Sequence, residues 1–254
     1  MGSKHIRAHF PIFLREMVSP FFGGGAIEWH MAANGTKVHA YDLNPDLVSF
    51  WNQMLTDPLP VAEHAKKFIR KGIPLKEFKE LRKDYLNEKD PVARAAKHFA
   101  VYRMSFSGFG RTPHVPGLRK ATNTMIYQIT EATIQKIRDF KAENITIKVA
   151  DFQTSLAKHP DIFAYIDPPY IGRESMYEIC REVPFNHIAL RDMLANRKNF
   201  VLSYNDSEEV RELYKDFEIH ELKWKYSMPK ASNNPRQMGH EILITPKETA
   251  SSQR

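Results

Sequence analysis

Cysteine is almost absent from this chain, since Cys180 is the one cysteine among 254 residues. This excludes an internal disulfide and the clustered thiolates of most structural zinc sites, and it fits a reducing cytoplasm. Long apolar runs are also missing: none approaches the roughly 20 residues that span a bilayer, and no charged-then-apolar leader begins the chain. We therefore expect neither membrane insertion nor secretion. His5 and His9 lack a nearby glutamate or third ligand, so we expect no metal site.

Acidic residues are outnumbered in the middle of the chain, and residues 91–130 contain none. The segment 61–145 holds 18 Lys and Arg against 9 Asp and Glu, a net charge of +9, which exceeds the +7 of the whole chain. A field of one sign suits a polyanion, because each neutralised phosphate releases counterions. A solvated basic face on a helical insert is the other interpretation of the charge alone. Residues 91–130 contain no acid and six basic residues: Arg94, Lys97, Arg103, Arg111, Arg119 and Lys120.

Short runs rich in β-branched and aromatic residues predict seven strands, with helical patterns between them such as Asn44–Leu55 and Phe185–Leu194. Strands that alternate with helices indicate an α/β fold with a doubly wound sheet. The predicted strands are Met17–Phe22, Lys37–Tyr41, Ile145–Val149, Ile162–Ile166, Asn199–Tyr204, Phe217–Leu222 and Glu241–Thr245.

One long segment, residues 57–144, shows helix-like patterns and no convincing strand. It is too long for an ordinary strand-to-helix connection, so we interpret it as an inserted helical subdomain. The catalytic domain is then expected to combine residues 1–56 and 145–254.

Three consecutive glycines, Gly23, Gly24 and Gly25, follow the first predicted strand. They let the backbone turn sharply and approach a ligand closely. A pyrophosphate-binding fingerprint would continue with glycine at position 28, where this chain has Glu28, and the P-loop motif is absent. The pattern favours a nucleoside ligand without phosphates, and a tight structural turn is the alternative.

Two further acids stand at predicted strand ends. Asp42 follows the second strand, where a carboxylate can accept hydrogen bonds from a ribose diol, although it can equally cap the helix that follows. Asp151 and Phe152 follow the third strand and can bind the edge and cover the ring of an adenine, or cap a helix.

The most specific motif is Asp167-Pro168-Pro169-Tyr170, directly after the fourth predicted strand. Two prolines stiffen a bend at the carboxyl edge of the sheet, where open α/β sheets bind ligands. A carboxylate and a carbonyl that accept the two N–H bonds of an aromatic amine favour its nucleophilic form, and a tyrosine ring stacks on the base. We therefore predict Asp167, Pro168, Pro169 and Tyr170 as catalytic residues.

Taken together, these motifs resemble those of the DNA adenine methyltransferases related to the Dam enzymes, the D12 class. The residues that carry the resemblance are Phe21–Gly25, Asp42, Asp151 and Asp167–Tyr170. The resemblance covers most of the chain, from a lysine-containing start to a Leu-Ser-Tyr-Asn segment that ends at Asn205. It implies a Rossmann-like methyltransferase sheet with an inserted target-recognition subdomain. It also implies S-adenosylmethionine as methyl donor, S-adenosylhomocysteine as product and N6 of an adenine in double-stranded DNA as acceptor.

By this resemblance the chain would act in the cytoplasm of a bacterial or phage-infected cell, as a monomer or weak dimer. Methylation of RNA adenine or cytosine N4, and a catalytically inactive DNA-binding relative, stay open as alternatives. The implied cofactor-binding residues are Lys4, Phe22, Gly23, Gly24, Gly25, Asp42, Asp151, Phe152 and Asp167.

The segment Arg103–Arg111 resembles an aromatic, asparagine and glycine segment of the family that contacts target bases. Two residues depart from the pattern: Ser19 stands where many members have an acid, and Ser107 where asparagine is common. A core aromatic is the alternative interpretation of Phe106. The predicted DNA-binding residues are Arg94, Arg103, Ser105, Phe106, Ser107, Arg111, Arg119 and Lys120.

Overall fold

Nine strands, ten α-helices and one 3-10 helix (Lys66–Phe68) are defined among the residues that the computed structural model describes, which are 2–71, 73–105, 128–174, 180, 183–225 and 238–247. The strands are β1 (Glu16–Ser19), β2 (Lys37–Asp42), β3 (Arg70–Lys71), β4 (Gln128–Ile129), β5 (Ile145–Val149), β6 (Phe163–Ile166), β7 (Phe200–Asn205), β8 (Glu218–Lys225) and β9 (Met238–Thr245). The helices are α1 (Gly2–Arg7), α2 (Ala26–Ala33), α3 (Pro45–Thr56), α4 (Pro58–Ala65), α5 (Leu75–Asn87), α6 (Pro91–Met104), α7 (Glu131–Arg138), α8 (Phe152–Lys158), α9 (His187–Leu194) and α10 (Glu208–Leu213).

The chain divides into two compact units. Unit 1 comprises residues 1–43 and 143–254, and unit 2 comprises residues 44–142. The predicted catalytic domain extended to residue 56, whereas the structure places α3 in unit 2. The reason lies in the packing of α3, because Phe50 and Met54 belong to the hydrophobic core of unit 2.

A seven-stranded sheet organises unit 1, in the order β5-β2-β1-β6-β7-β9-β8. The pairs from β5 to β7 are parallel, and β9 runs antiparallel to both of its neighbours. These strands confirm the α/β class and all seven predicted strand positions, with shifts of a few residues at their ends. The central strands β6 and β7 are buried almost throughout, as expected for parallel strands covered on both faces.

The core of unit 1 lies around these central strands. Ile166, Leu202 and Ile244 pack from β6, β7 and β9, and Leu190 and Leu194 pack against them from α9. Two tyrosines, Tyr204 and Tyr214, are also fully buried in this cluster. A tightly packed sheet holds the strand ends of the site in fixed positions.

Unit 2 is mainly helical, and three of its helices begin in the same way. Asn44, Asp57 and Asp90 are N-caps whose side chains accept hydrogen bonds from backbone N–H groups in the first turn, and a proline follows each of them. Proline fits the first helical position because its missing N–H would have no partner there.

No strand was expected in this segment, and that expectation was wrong. Two-residue strands β3 and β4 form an antiparallel pair, with Arg70 opposite Ile129 and Lys71 opposite Gln128. No helix in the described part of the chain is long and apolar enough to cross a membrane.

Candidate active site

The candidate site lies in unit 1, at the carboxyl edge of the sheet where the direction of strand succession reverses. Strand β1 pairs with β2 on one side and with β6 on the other. Open α/β sheets bind ligands at such a switch point. A cavity of about 610 Å³ opens there, within the range of roughly 300–1,000 Å³ typical of small-molecule sites.

The glycine turn after β1 forms one wall of this cavity. Gly23 and Gly25 have φ values of +51° and +67°, which non-glycine residues rarely adopt. A Cβ on Gly25 would also lie 2.4 Å from the ring of Phe22. The N–H of Gly25 donates to the carbonyl of Phe22 at 2.8 Å, and this bond closes the turn. All three glycines and Phe22 line the cavity, which brings together four of the predicted cofactor-binding residues.

Asp42 lies beside this turn at the end of β2. Its Oδ2 accepts a hydrogen bond from the Gly23 N–H at 2.9 Å, and the residue lines the cavity. The alternative interpretation made Asp42 the cap of the following helix. Asn44 fills that role, since its Oδ1 accepts from the N–H groups of Asp46 and Leu47. The carboxylate of Asp42 is therefore bonded to the glycine turn, and Asn44 is the N-cap of helix α3.

Asp151 and Phe152 line the cavity from the start of α8. The capping interpretation of Asp151 is confirmed, because its Oδ1 accepts from the Thr154 N–H at 2.6 Å. Adenine binding by Asp151 stays a prediction. Phe152 stacks on Phe21 with ring centroids 5.9 Å apart and contacts Phe185 at 5.3 Å. These three phenylalanines form an aromatic wall, of which only Phe152 was predicted as a site residue.

Asp167 lies at the carboxyl end of β6 and faces the cavity with Pro169. Ser203 Oγ donates to Asp167 Oδ1 at 2.8 Å. The Asp167 side chain is open to the cavity, but desolvation by the protein around it raises its pKa. Hydrogen bonds from Ser203, Tyr170 and Tyr165 lower the pKa by less, so the net shift is upward. The carboxylate is thus held by hydroxyl donors at the point where the sheet ends.

Pro168 and Tyr170, the other predicted catalytic residues, do not line the cavity. The Tyr170 ring packs against Tyr204, with centroids 5.8 Å apart. The segment after Tyr170 is fixed by Glu174, whose Oε1 accepts from the Gly172 N–H at 3.1 Å and lies 3.0 Å from His187 Nε2. His187 Nδ1 in turn is hydrogen-bonded to the Tyr204 hydroxyl. No motif in the sequence predicts this network.

The cavity wall is acidic. None of its described lining residues is Lys, Arg or His, whereas four carry carboxylates: Glu28, Asp42, Asp151 and Asp167. Glu28 is 2% exposed, and burial raises its pKa to about 7. In the sequence, position 28 is notable only because it lacks the glycine of a pyrophosphate-binding fingerprint. In the described part of the chain, no cluster of three His, Cys, Asp or Glu side chains is suited to a metal ion.

Lys4 stands apart from the other predicted cofactor-binding residues. Its side chain is exposed on α1 and does not line the cavity, although Ile6 of the same helix does.

Two of the predicted DNA-binding residues have internal roles in unit 2. Arg94 donates from Nε and Nη2 to the Asp46 carboxylate, both at 2.9 Å, and from Nη1 to three backbone carbonyls. Ser105 is 1% exposed, and its hydroxyl donates to the Tyr102 carbonyl. We therefore remove Arg94 and Ser105 from the DNA-binding set. Arg103 is exposed near the end of α6.

The remaining predicted DNA-binding residues lie outside the described residues. They are Phe106, Ser107, Arg111, Arg119 and Lys120.

Fold and site together define a class of protein. The sheet is open and mostly parallel, with one antiparallel strand near its edge, and a nucleoside-sized cavity lies at its switch point. This arrangement is that of a Rossmann-like methyltransferase fold. Residues 3–228 match the model of the D12 class N6 adenine-specific DNA methyltransferases. The chain belongs to this family.

Individual relatives agree with the family match. The chain is 27% identical to a type II methyltransferase, M1.LlaDCHI, of Lactococcus lactis subsp. cremoris, over 95% of this chain and 89% of that protein. It is 23% identical to a DNA adenine methylase of Vibrio cholerae, over 87% and 83% of the two chains. It is 25% identical to the retron Ec67 DNA adenine methylase of Escherichia coli, over 95% and 86%.

Proposed function

We propose that this adenine-specific DNA methyltransferase binds S-adenosylmethionine in the cavity of unit 1 and methylates N6 of an adenine that is flipped out of duplex DNA at a specific sequence. The observation that carries the proposal is the position of Asp167, since it faces the same cavity as the glycine turn and Asp42. One pocket therefore combines features suited to a nucleoside with a carboxylate suited to an aromatic amine.

The character of the cavity supports this donor. When bound, S-adenosylmethionine supplies an electrophilic methyl group on a positively charged sulfonium. A wall with four carboxylates and no described cationic residue favours a positively charged ligand. Phe21, Phe152 and Phe185 add an apolar surface suited to an adenine ring.

Residues of the wall would hold separate parts of the donor. Asp42 accepts hydrogen bonds from a ribose diol, and the glycine turn lets the backbone approach the ligand. Asp151 and Phe152 bind the edge and the face of the adenine. Lys4 stays a proposal from the family resemblance, without a place in the cavity wall.

The target adenine is activated by hydrogen bonding at its amino group. Its N6 lone pair is delocalised into the ring, so the amine is a poor nucleophile. Asp167 and the Pro168 carbonyl accept its two N–H bonds, which favours the pyramidal and nucleophilic form of nitrogen. Pro169 stiffens this bend, and Tyr170 stacks on the extruded base. The proton can leave N6 after attack, so no separate base is needed beforehand.

The basic segment of unit 2 is proposed to bind the duplex. Arg103, Arg111, Arg119 and Lys120 neutralise phosphates or read a guanine edge, because residues 91–130 carry no acid. Phe106 and Ser107 are proposed to contact the target bases, with Phe106 inserted into the stack.

The proposal is tested by methyl transfer from labelled S-adenosylmethionine to duplex DNA, followed by identification of the methylated base. We expect the wild-type protein to form N6-methyladenine and Asp167→Ala to lose at least about 100-fold in rate, comparable to removing an electrostatic stabiliser of the transition state. Asp161→Ala is the matched control, because Asp161 is an exposed aspartate of the same unit. Activity in Asp167→Ala close to that of Asp161→Ala would overturn the assigned role.

A further inference from the structure

Glu28 is a buried carboxylate in the cavity wall to which the proposed function gives no task. It lies in the first turn of α2 and is 2% exposed, yet it lines the cavity. Ser19 Oγ donates to Glu28 Oε1 at 2.6 Å. The backbone of Ile27 and of Glu28 itself also lowers the pKa of this carboxylate. The Ser19 hydroxyl at the end of β1 therefore orients this side chain.

The electrostatic environment of Glu28 disfavours the ionised form of its side chain. Burial and the nearby Asp167 both raise its pKa, to about 7, and Glu28 forms no ion pair with a described Lys, Arg or His. A buried carboxylate costs free energy unless it is hydrogen-bonded and paired with a positive charge. The hydrogen bond from Ser19 provides the first requirement. No described Lys, Arg or His lines the cavity, so a positive charge for the ionised carboxylate would come from a ligand there.

The other three carboxylates of the wall already have a neighbour or a task that fixes their role. Asp42 is bonded to the Gly23 N–H beside the proposed ribose position, Asp151 caps α8, and Asp167 is bonded to Ser203 beside the proposed target amine. Glu28 is the carboxylate of the wall that is left for a cationic group of the donor.

We propose that Glu28 binds the α-ammonium group of the methionine part of the methyl donor, and that Ser19 is the positioning residue that orients it. This rests on the proposed function, because it assumes that the cavity holds S-adenosylmethionine. The geometry of the wall supports it: Glu28 stands at the start of the helix that follows the glycine turn, so it is adjacent in the chain to the segment that is proposed to hold the nucleoside. A methyl donor whose nucleoside part lies at the glycine turn would place its amino-acid part beside the start of α2.

The test compares two ligands that differ only in the ammonium group, S-adenosylhomocysteine and its desamino analogue, by titration calorimetry without DNA. We expect the wild-type protein to bind S-adenosylhomocysteine more tightly. Glu28→Gln should weaken that binding by about 10- to 100-fold, as expected for loss of a charge-assisted hydrogen bond in a buried site. Binding of the desamino analogue should change by less than about threefold, because it has no ammonium group to lose.

Glu143→Gln is the matched control, since it makes the same change in charge at an exposed position of unit 1. Ser19→Ala is the second variant, and it decides the question if Glu28→Gln does not fold. It should weaken S-adenosylhomocysteine in the same selective way, by a smaller factor. The Michaelis constant for S-adenosylmethionine should rise in both variants more than the turnover number falls.

The outcomes separate this inference from the proposed function. Equal weakening of both ligands, or no weakening of either in Glu28→Gln, would show that Glu28 only supports the fold and would overturn the inference alone. Failure of the wild-type protein to bind S-adenosylhomocysteine at all would overturn the proposed function and the inference with it.

Discussion

At the scale of single residues, the Ser203 hydroxyl and the Asp167 carboxylate form a hydrogen-bonded pair at the carboxyl edge of the sheet. The Ser203 hydroxyl donates to Asp167 at 2.8 Å and lowers a pKa that the surrounding protein raises. In the proposed mechanism, Asp167 accepts the N–H bonds of adenine as an ionised carboxylate. Removing the hydroxyl in Ser203→Ala raises the pKa of Asp167, so we expect the acidic limb of the turnover profile to shift to higher pH, with a larger loss of rate at acidic than at alkaline pH.

Ser155→Ala is the control for this prediction. Ser155 is also a buried serine of unit 1, but its hydroxyl donates to backbone carbonyls of Asp151 and Phe152. Its profile should keep the wild-type shape. An unchanged profile in Ser203→Ala would contradict the role given to its hydrogen bond. The measurement is initial rate against pH at saturating donor and DNA.

Single residues also show which part of the site the sequence could reveal. Asp42 and Asp167 were predicted because both follow strands of a parallel sheet, whose carboxyl ends meet at one edge. Glu28 and Ser203 were not, because they reach the site through contacts that no spacing encodes. Ser19 was noted as a departure from the family pattern, and only the structure shows that it is bonded to Glu28.

At the scale of elements, the glycine turn combines one position with no room for a side chain and one with open space. Gly25→Ala would place a Cβ 2.4 Å from the Phe22 ring and 2.7 Å from Trp29 Nε1, at φ +67°. We expect a destabilisation of about 1–3 kcal/mol or more from this strain and overlap. Gly24→Ala meets no described atom within 4 Å and has no positive φ, so its stability should stay within about 0.5 kcal/mol of the wild type.

The measurement for these two variants is the midpoint of urea unfolding followed by circular dichroism. If Gly24→Ala were as unstable as Gly25→Ala, the turn would tolerate a Cβ at neither position. The backbone angle at Gly25 would then not explain its destabilisation.

Elements differ in how well local signals predict them. Helix α3 begins where Asn44 and Pro45 predict it, because a cap and a proline act on the first turn itself. The pair β3 and β4 was missed, because two residues at 70–71 meet two at 128–129 and no local pattern announces such a pairing. The unit boundary at residue 43 was missed for a similar reason, since it depends on which core α3 joins.

At the scale of the whole molecule, the uneven charge predicts that cofactor binding and DNA binding can be weakened separately. The triple variant Arg111→Ala, Arg119→Ala and Lys120→Ala should bind duplex DNA more weakly. Its plot of log affinity against log salt should be less steep by about 0.9 for each phosphate that is no longer neutralised. Affinity for S-adenosylhomocysteine should not change, because these residues belong to unit 2 and the cavity is built from unit 1.

The matched control removes three exposed lysines of unit 1, in Lys148→Ala, Lys158→Ala and Lys198→Ala. Its charge change is the same, so any effect of net charge alone appears there too. DNA titrations by fluorescence anisotropy at several salt concentrations measure both variants. Equal loss of DNA affinity in the two triple variants would contradict the assignment of the basic segment to DNA.

The position of β9 has a consequence for how the chain is made. This strand lies between β7 and β8, although both precede it in the sequence. Synthesis from the amino terminus therefore delivers an interior strand of the sheet last. Until residues 238–245 have left the ribosome, β8 lacks its hydrogen-bonding partner and β7 has an open edge of the kind that promotes aggregation. The sheet that carries the site is completed only when residues 238–245 have been released.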